Sequence, residues 1–139
     1  MESKIPRSAK VVIIGGGVAG CSVAYHLTKF GWKDIVLLER DQLTSGTTWH
    51  AAGLIGQLGS SATITKLRNY SLNLYKQLEF ETGLSTGLKQ NGSLTVATSE
   101  GRLQELKRQV TTAQLFNVEA NEVSKDEIKS LYPLINTED

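Results

Sequence analysis

Gly15, Gly17 and Gly20 stand in the spacing Gly-x-Gly-x-x-Gly, and a carboxylate, Glu39, follows 19 positions after the last of them. Those residue types at that spacing can hold a dinucleotide. Gly15 permits a tight turn, Gly17 lets the backbone approach a diphosphate closely, and Gly20 lets a helix pack against a strand. The amides of Val18 and Ala19 then lie at a helix N-terminus, where free N–H groups and the helix dipole favour phosphate. Glu39 can accept hydrogen bonds from both ribose hydroxyls of an adenosine, and its charge disfavours a 2′-phosphate; Arg40 beside it weakens that preference. A tight turn with no ligand can carry the same glycines, so the flanking elements must decide. The motif by itself does not separate NAD from FAD.

A second constellation follows: Thr44-Ser45-Gly46-Thr47-Thr48-Trp49-His50-Ala51-Ala52-Gly53-Leu54. An NAD-binding unit usually runs from its second strand into another helix and strand. Here a Gly/Thr/Ser-rich loop intervenes, able to wrap the other side of a diphosphate and run toward an isoalloxazine ring. His50 offers an imidazole that is neutral and nucleophilic near neutral pH; the plain alternative is a loop histidine capping a turn. Trp49 reads equally as a shield over a ring or as an aromatic anchor of the loop. His26 reads as structural on the polar side of a helix, and Cys21 as a small thiol packed on a sheet. No Cys, His, Asp or Glu cluster has metal-ligand spacing, and two histidines offer no Ser-His-Asp arrangement. No catalytic base is identifiable.

The elements needed to position these groups can be read from periodicity. Residues 10–14 form a β-branched run suited to a strand buried on both faces. A helix is expected from Val18 to about Phe30, with Val18, Cys21, Val23 or Ala24, and Leu27 inward and Gly31 as its stop. Ile35-Val36-Leu37-Leu38 form a second buried run within 34–40, so a strand–helix–strand unit with parallel pairing follows. A helix over about 62–81 carries Ile64, Leu67, Leu74 and Leu78 on one stripe and ends at Gly83. Ser93–Thr98 alternates like a strand. A further helix over about 100–116 shows Leu103, Leu106, Val110 and Ala113 at helical spacing. Ser124-Lys125-Asp126-Glu127 is a capping box, with Val123 and Ile128 placed as a hydrophobic staple and Pro133 as the stop. The fold class is α/β: a Rossmann-like βαβ unit with its flavin-facing loop over 1–60, then a helical and strand segment over 61–139. Two parallel strands are few for a doubly wound sheet, and the chain closes on Asn136-Thr137-Glu138-Asp139 without a further β-branched run. A piece of a longer polypeptide is expected, one that exposes apolar surface and binds free FAD poorly.

Composition narrows the partners. With 40% hydrophobic and 21% charged residues and a formal net charge of +1, neither nucleic acid nor an anionic membrane is an expected partner. Lys66, Arg68, Lys76, Lys107 and Arg108 read as solvated helix faces, and Tyr70, Tyr75 and Tyr132 as core or domain-contact positions. One cysteine excludes an internal disulfide and fits a reducing compartment. The opening ten residues hold Lys4, Arg7 and Lys10 without the apolar core of a secretory signal. The cytoplasm is the expectation, with the mitochondrial matrix as the alternative.

The glycine motif, then Leu38-Glu39-Arg40, then Ser45-Gly46-Thr47-Thr48-Trp49-His50-Ala51-Ala52-Gly53-Leu54 together resemble the dimethylglycine and sarcosine dehydrogenase family of D-amino-acid-oxidase-like flavoproteins. The likeness continues through Tyr70-Ser71, Leu74-Tyr75, Leu78-Glu79, Glu81-Thr82-Gly83 and Asn91-Gly92-Ser93-Leu94. It spans essentially the whole chain but only the N-terminal part of a typical family member. The resemblance implies FAD as cofactor, joined through a ring nitrogen of His50 to the flavin 8α-carbon. It implies oxidation of an N-methyl amino acid by hydride loss to the flavin. The iminium is then hydrolysed to formaldehyde or captured by tetrahydrofolate. The electron acceptor, electron-transfer flavoprotein or oxygen, stays open. Three alternatives remain: another FAD-dependent amine or amino-acid oxidase, a non-catalytic relative like the regulatory subunit of pyruvate dehydrogenase phosphatase, and an NAD-dependent dehydrogenase, which the 44–54 loop disfavours.

Overall fold

A computed structural model describes residues 6–138; Lys4 and Asp139, used in the reading above, lie outside the described residues. The chain divides into two compact units, the first ending at Leu54 and the second beginning at Ile55.

The first unit is the strand–helix–strand expected from the sequence. Strand β1 (Val11–Ile14) pairs in parallel with β2 (Ile35–Leu38), Val11 opposite Ile35 and Ile14 opposite Leu38, and helix α1 (Val18–Lys29) makes the crossover. The ladder continues at both ends, since the Lys10 amide donates to the Asp34 carbonyl at 3.1 Å and the Gly15 amide to the Leu38 carbonyl at 2.8 Å. Helix α1 ends as Gly31 predicted: at φ 82° the glycine donates to the Thr28 carbonyl, and Trp32 donates to that of Leu27. This pair of bonds is the Schellman closure, which satisfies two of the last carbonyls. A four-residue 3₁₀ turn, Thr47–His50, completes the unit.

Two expectations fail here. Strand β1 is not buried on both faces: Val12 is 52% and Ile14 87% exposed, while Val11 and Ile13 are half-buried. Within this unit helix α1 packs on both strands from one side of the sheet, and the unit has no second helix for the other. The inward stripe of α1 is incomplete at its start, because Val18 is exposed, while Cys21, Ala24 (rather than Val23) and Leu27 are half-buried.

The second unit consists of α2 (Ala62–Thr82), α3 (Glu100–Leu115) and α4 (Lys125–Leu131). Ser61 and Ser99 cap α2 and α3 by accepting from Ile64 and Arg102, and the capping box of α4 forms as predicted. On α2 the predicted stripe holds at Leu74 and Leu78, which are half-buried, and fails in the first half of the helix. Ile64 and Leu67 are exposed, and the buried residues are Thr65 and Leu72. The reason lies before the helix, where the Thr65 hydroxyl donates to the Ser61 carbonyl and accepts from the Gly59 amide at 3.0 Å. The 57–60 segment thus folds over the Thr65 face. Gly83, at φ 69°, closes the helix as expected. The Glu79 carboxylate then organises the following turn, accepting from Ser85 Oγ, the Thr86 amide and Thr86 Oγ1.

The Ser93–Thr98 strand does not form; these residues are irregular. Alternation prepares a strand, but a ladder needs a neighbour, and none of the described residues pairs with this segment. On α3 the predicted face holds, with Ala113 fully buried. Its end was not foreseen: Asn117 at φ 53° donates to Gln114 and Val118 to the Ala113 carbonyl, another Schellman closure, which sets buried Val118 against Ala113.

Candidate functional site

The turn between β1 and α1 shows why its glycines are required. Gly15 has φ 104°, a conformation that side chains with a Cβ avoid. A Cβ at Gly20 would collide with the backbone carbonyl of Gly15 and meet the Ile13 side chain at 3.4 Å, so this position sets how closely helix and strand approach. Gly17 is the N-cap of α1 and offers no side-chain cap. The first amides of a helix have no intrahelical acceptor, so those of Val18, Ala19 and Gly20 need partners from elsewhere.

The 44–48 loop accepts from one of these amides and also bonds the glycine turn. Thr48 Oγ1 accepts from the Val18 amide at 2.9 Å, and a Cβ at Gly17 would lie 3.0 Å from the same oxygen. The Thr44 amide donates to the Gly16 carbonyl at 2.9 Å. The glycine motif and the Thr/Ser-rich loop, separate in sequence, therefore meet at the N-terminus of α1. Glu39 closes the site from the end of β2: Oε2 accepts from the Gly16 amide at 2.6 Å, and Oε1 from the amides of Arg40 at 2.7 Å and Asp41 at 3.2 Å. A carboxylate has about four acceptor positions, so capacity for a ribose hydroxyl remains.

The Gly16 amide, followed by those of Asp41 and Arg40, holds the Glu39 carboxyl below the usual carboxylate range. The folded value is the lower one, so the stabilising contribution is complete above the ordinary carboxylate pKa. It is lost as pH falls through the folded value. In an acid titration of the melting temperature, the wild type is expected to lose stability over this window more steeply than Glu39→Gln. Superimposable acid limbs would rule out this role for the carboxylate.

The rest of the predicted site follows the loop outward. Ser45 Oγ donates to the Gln42 carbonyl at 2.8 Å, and Thr47 opens the 3₁₀ turn. His50 Nδ1 lies 3.0 Å from the Gly46 carbonyl, which can only accept, so Nδ1 carries the proton and a neutral ring keeps Nε2 unprotonated. Trp49 packs beside it, ring centroids 4.2 Å apart, and is 67% exposed. Ala51 donates back to the Thr48 carbonyl. Ala52, Gly53 and Leu54 run on as exposed chain and are not hydrogen-bonded to the glycine turn. Arg40 is exposed, and its amide donates to Glu39 Oε1.

Sequence reading missed Gly16. It is buried; a Cβ there would meet Leu43 Cδ2 at 2.5 Å and Glu39 Cβ at 3.0 Å. Three consecutive glycines were the available signal. Leu43, just before the 44–54 loop, and Thr44, its first residue, belong to the site by these contacts. Cys21 is half-buried, its Sγ 3.4 Å from the Gly16 carbonyl, and His26 Nδ1 lies 2.6 Å from the Ser22 carbonyl within α1, in keeping with structural roles for both. Among the described residues no group of three or more His, Cys, Asp or Glu is placed to hold a metal.

The residues fit an adenine dinucleotide bearing a diphosphate, by a cradle in which Gly15 needs a positive φ, a Cβ at Gly16, Gly17 or Gly20 would crowd its neighbours, and the helix amides face a polar loop. Comparison with known proteins agrees. Residues 10–139 match the family described as FAD dependent oxidoreductase (DAO). The chain is 47% identical to human mitochondrial sarcosine dehydrogenase over 97% of its length, covering 15% of that protein. It is 44% identical to human mitochondrial dimethylglycine dehydrogenase over 97%, covering 16% of it. It is also 43% identical to the mouse mitochondrial pyruvate dehydrogenase phosphatase regulatory subunit over 97%, covering 15% of it. Among solved structures, glycine oxidase from Bacillus cereus ATCC 14579 superposes with a TM-score of 0.71 at 26% identity, over 91% of this chain and 36% of that one. The chain thus spans about a sixth of the curated relatives' length.

Proposed function

The chain belongs to the DAO family of FAD-dependent oxidoreductases, and from that premise we propose that residues 1–60 form the adenosine-diphosphate side of the FAD site in an enzyme that oxidises N-methylated amino acids. The observation that carries this reading is the convergence of Thr48 and Thr44 on the glycine turn. An NAD unit has no need of such a loop at the helix N-terminus. FAD, when bound, supplies the two-electron acceptor for oxidation of the N-methyl carbon.

The roles follow from chemistry already placed. The amides of Gly17, Ala19 and Gly20 bind the diphosphate, with Gly15 setting the turn and Val18 beside them, its own amide holding Thr48. The spare capacity of Glu39 takes a ribose hydroxyl, with Arg40 at the rim. Ser45, Gly46, Thr47 and Thr48 add hydroxyls and amides on the opposite side. Trp49, His50, Ala51, Ala52, Gly53 and Leu54 carry the loop toward the ring system, where Nε2 of His50 forms the covalent link to the flavin. No residue of this chain is assigned as catalytic base, as tetrahydrofolate site or as contact for an electron acceptor. The three relatives named above bear the word mitochondrial in their names, so a mitochondrial location is proposed in place of the cytoplasm. No described helix is long and apolar enough to cross a membrane.

The test uses the complete polypeptide carrying these residues. Its flavin absorbance should bleach with dimethylglycine or sarcosine, with formaldehyde released in step. Bleaching by glycine alone would replace the substrate by a primary amino acid. Failure of every amine would favour the second reading, a non-catalytic relative, which the 43% identity to the phosphatase regulatory subunit supports.

A further inference from the structure

Six glycines adopt a positive φ among the described residues. Among those residues three others adopt it: Asp34 at 64°, Thr44 at 67° and Asn117 at 53°. Asp and Asn tolerate the left-handed region because short polar side chains bond locally there. Asp34 does so, its Oδ2 accepting from the Lys10 amide at 3.1 Å, and Asn117 forms the Schellman closure of α3. Thr44 has neither excuse. It is β-branched, a type for which this backbone is a true outlier, and such strain persists only where surroundings enforce it.

The enforcing contact is the bond from the Thr44 amide to the Gly16 carbonyl, with Leu43 lying over Gly16. Any residue but proline supplies that amide, and glycine would supply it without strain. The threonine side chain is therefore the part needing explanation. It is exposed, and no protein group among the described residues hydrogen-bonds to its hydroxyl. It stands at the glycine turn, beside the residues that receive Glu39 and precede the first amides of α1.

We propose that Thr44 is a further cofactor-binding position, its hydroxyl hydrogen-bonding to the ribose–diphosphate portion of the nucleotide, with the left-handed backbone as the conformation that presents it. The inference rests on the FAD reading above. It gives a specific ligand role to the first residue of the 44–54 loop.

ADP is the probe, because it carries the adenosine and diphosphate groups and cannot form a flavin bond. It is titrated calorimetrically into the flavin-free complete polypeptide, with the melting temperature of each nucleotide-free variant recorded alongside. Thr44→Val keeps the branch and the strain but removes the hydroxyl; it should weaken ADP about tenfold or more while melting like the wild type. Thr44→Ser should bind within about threefold of the wild type. Thr44→Gly should melt higher than the wild type without nucleotide and still bind ADP more weakly. Wild-type affinity in the valine and glycine variants would overturn the proposal. Should valine fail to fold, serine against glycine decides alone. No ADP binding by the wild type would instead overturn the FAD reading, since Thr44 is then never engaged.

Discussion

Replacing Gly20 by alanine is expected to abolish ADP binding and to destabilise the protein by roughly 3 kcal/mol, the upper part of the range for overpacking. The added Cβ would land on the Gly15 carbonyl. That atom belongs to backbone already held at both sides: the Gly15 amide is bonded to Leu38, and Gly20 lies in the first turn of α1. Neither can yield without separating helix from strand. The separation would also move the amides of Val18 and Ala19, so binding and stability fail together. The same substitution at Gly101 is the control. A Cβ there meets nothing within 4 Å, and the residue is helical. Gly101→Ala should therefore be neutral or stabilise by about half a kcal/mol. Chemical denaturation and ADP titration of both variants check the pair. Wild-type behaviour of Gly20→Ala would mean the helix does not pack on the strand as described.

His50→Ala should release all flavin from the protein on acid precipitation, whereas the wild type should retain nearly all of it in the pellet. The geometry gives the reason. Nδ1 is committed to the Gly46 carbonyl, Trp49 flanks the ring, and the remaining nitrogen is unprotonated when the imidazole is neutral. A ring held this way presents one nucleophilic atom in a fixed direction. Alanine removes it while leaving Thr48, which docks the loop, untouched. Non-covalent FAD binding should accordingly survive in the variant, within about tenfold if the ring otherwise contributes only one hydrogen bond or contact. Colour leaving the wild-type pellet would dismiss the covalent link and leave the dinucleotide site standing. Colour staying in the variant pellet would assign the link to another residue.

The extent to which the site was legible differs from residue to residue. Gly15, Gly17 and Gly20 were legible because each answers a local steric demand, and Gly31 and Gly83 because a left-handed helix end leaves so few choices. Glu39 was found by its distance from the glycines, yet its bond to the Gly16 amide was not, since nothing in a linear chain says which way a carboxylate turns. Gly16 was overlooked as a variable position of its motif; its crowding by Leu43 arises from a loop that returns to it. Thr44 was legible as the first residue of the loop, but its left-handed backbone was not. Its backbone is inconsistent with its own preference, and preference is what sequence reports.

The sequence by itself determined the strand–helix–strand order, the helix caps, the glycine cradle and the family, because these depend on local sterics, hydrogen-bond valence and spacing. Only the tertiary structure decided that Thr65 and Leu72 rather than Ile64 and Leu67 face inward, that residues 93–98 have no strand to pair with, and that the 44–48 loop lands on α1. Burial, pairing and loop docking are relations between segments distant along the chain. Each is set by what the partner surface offers, which the periodicity of one segment does not contain.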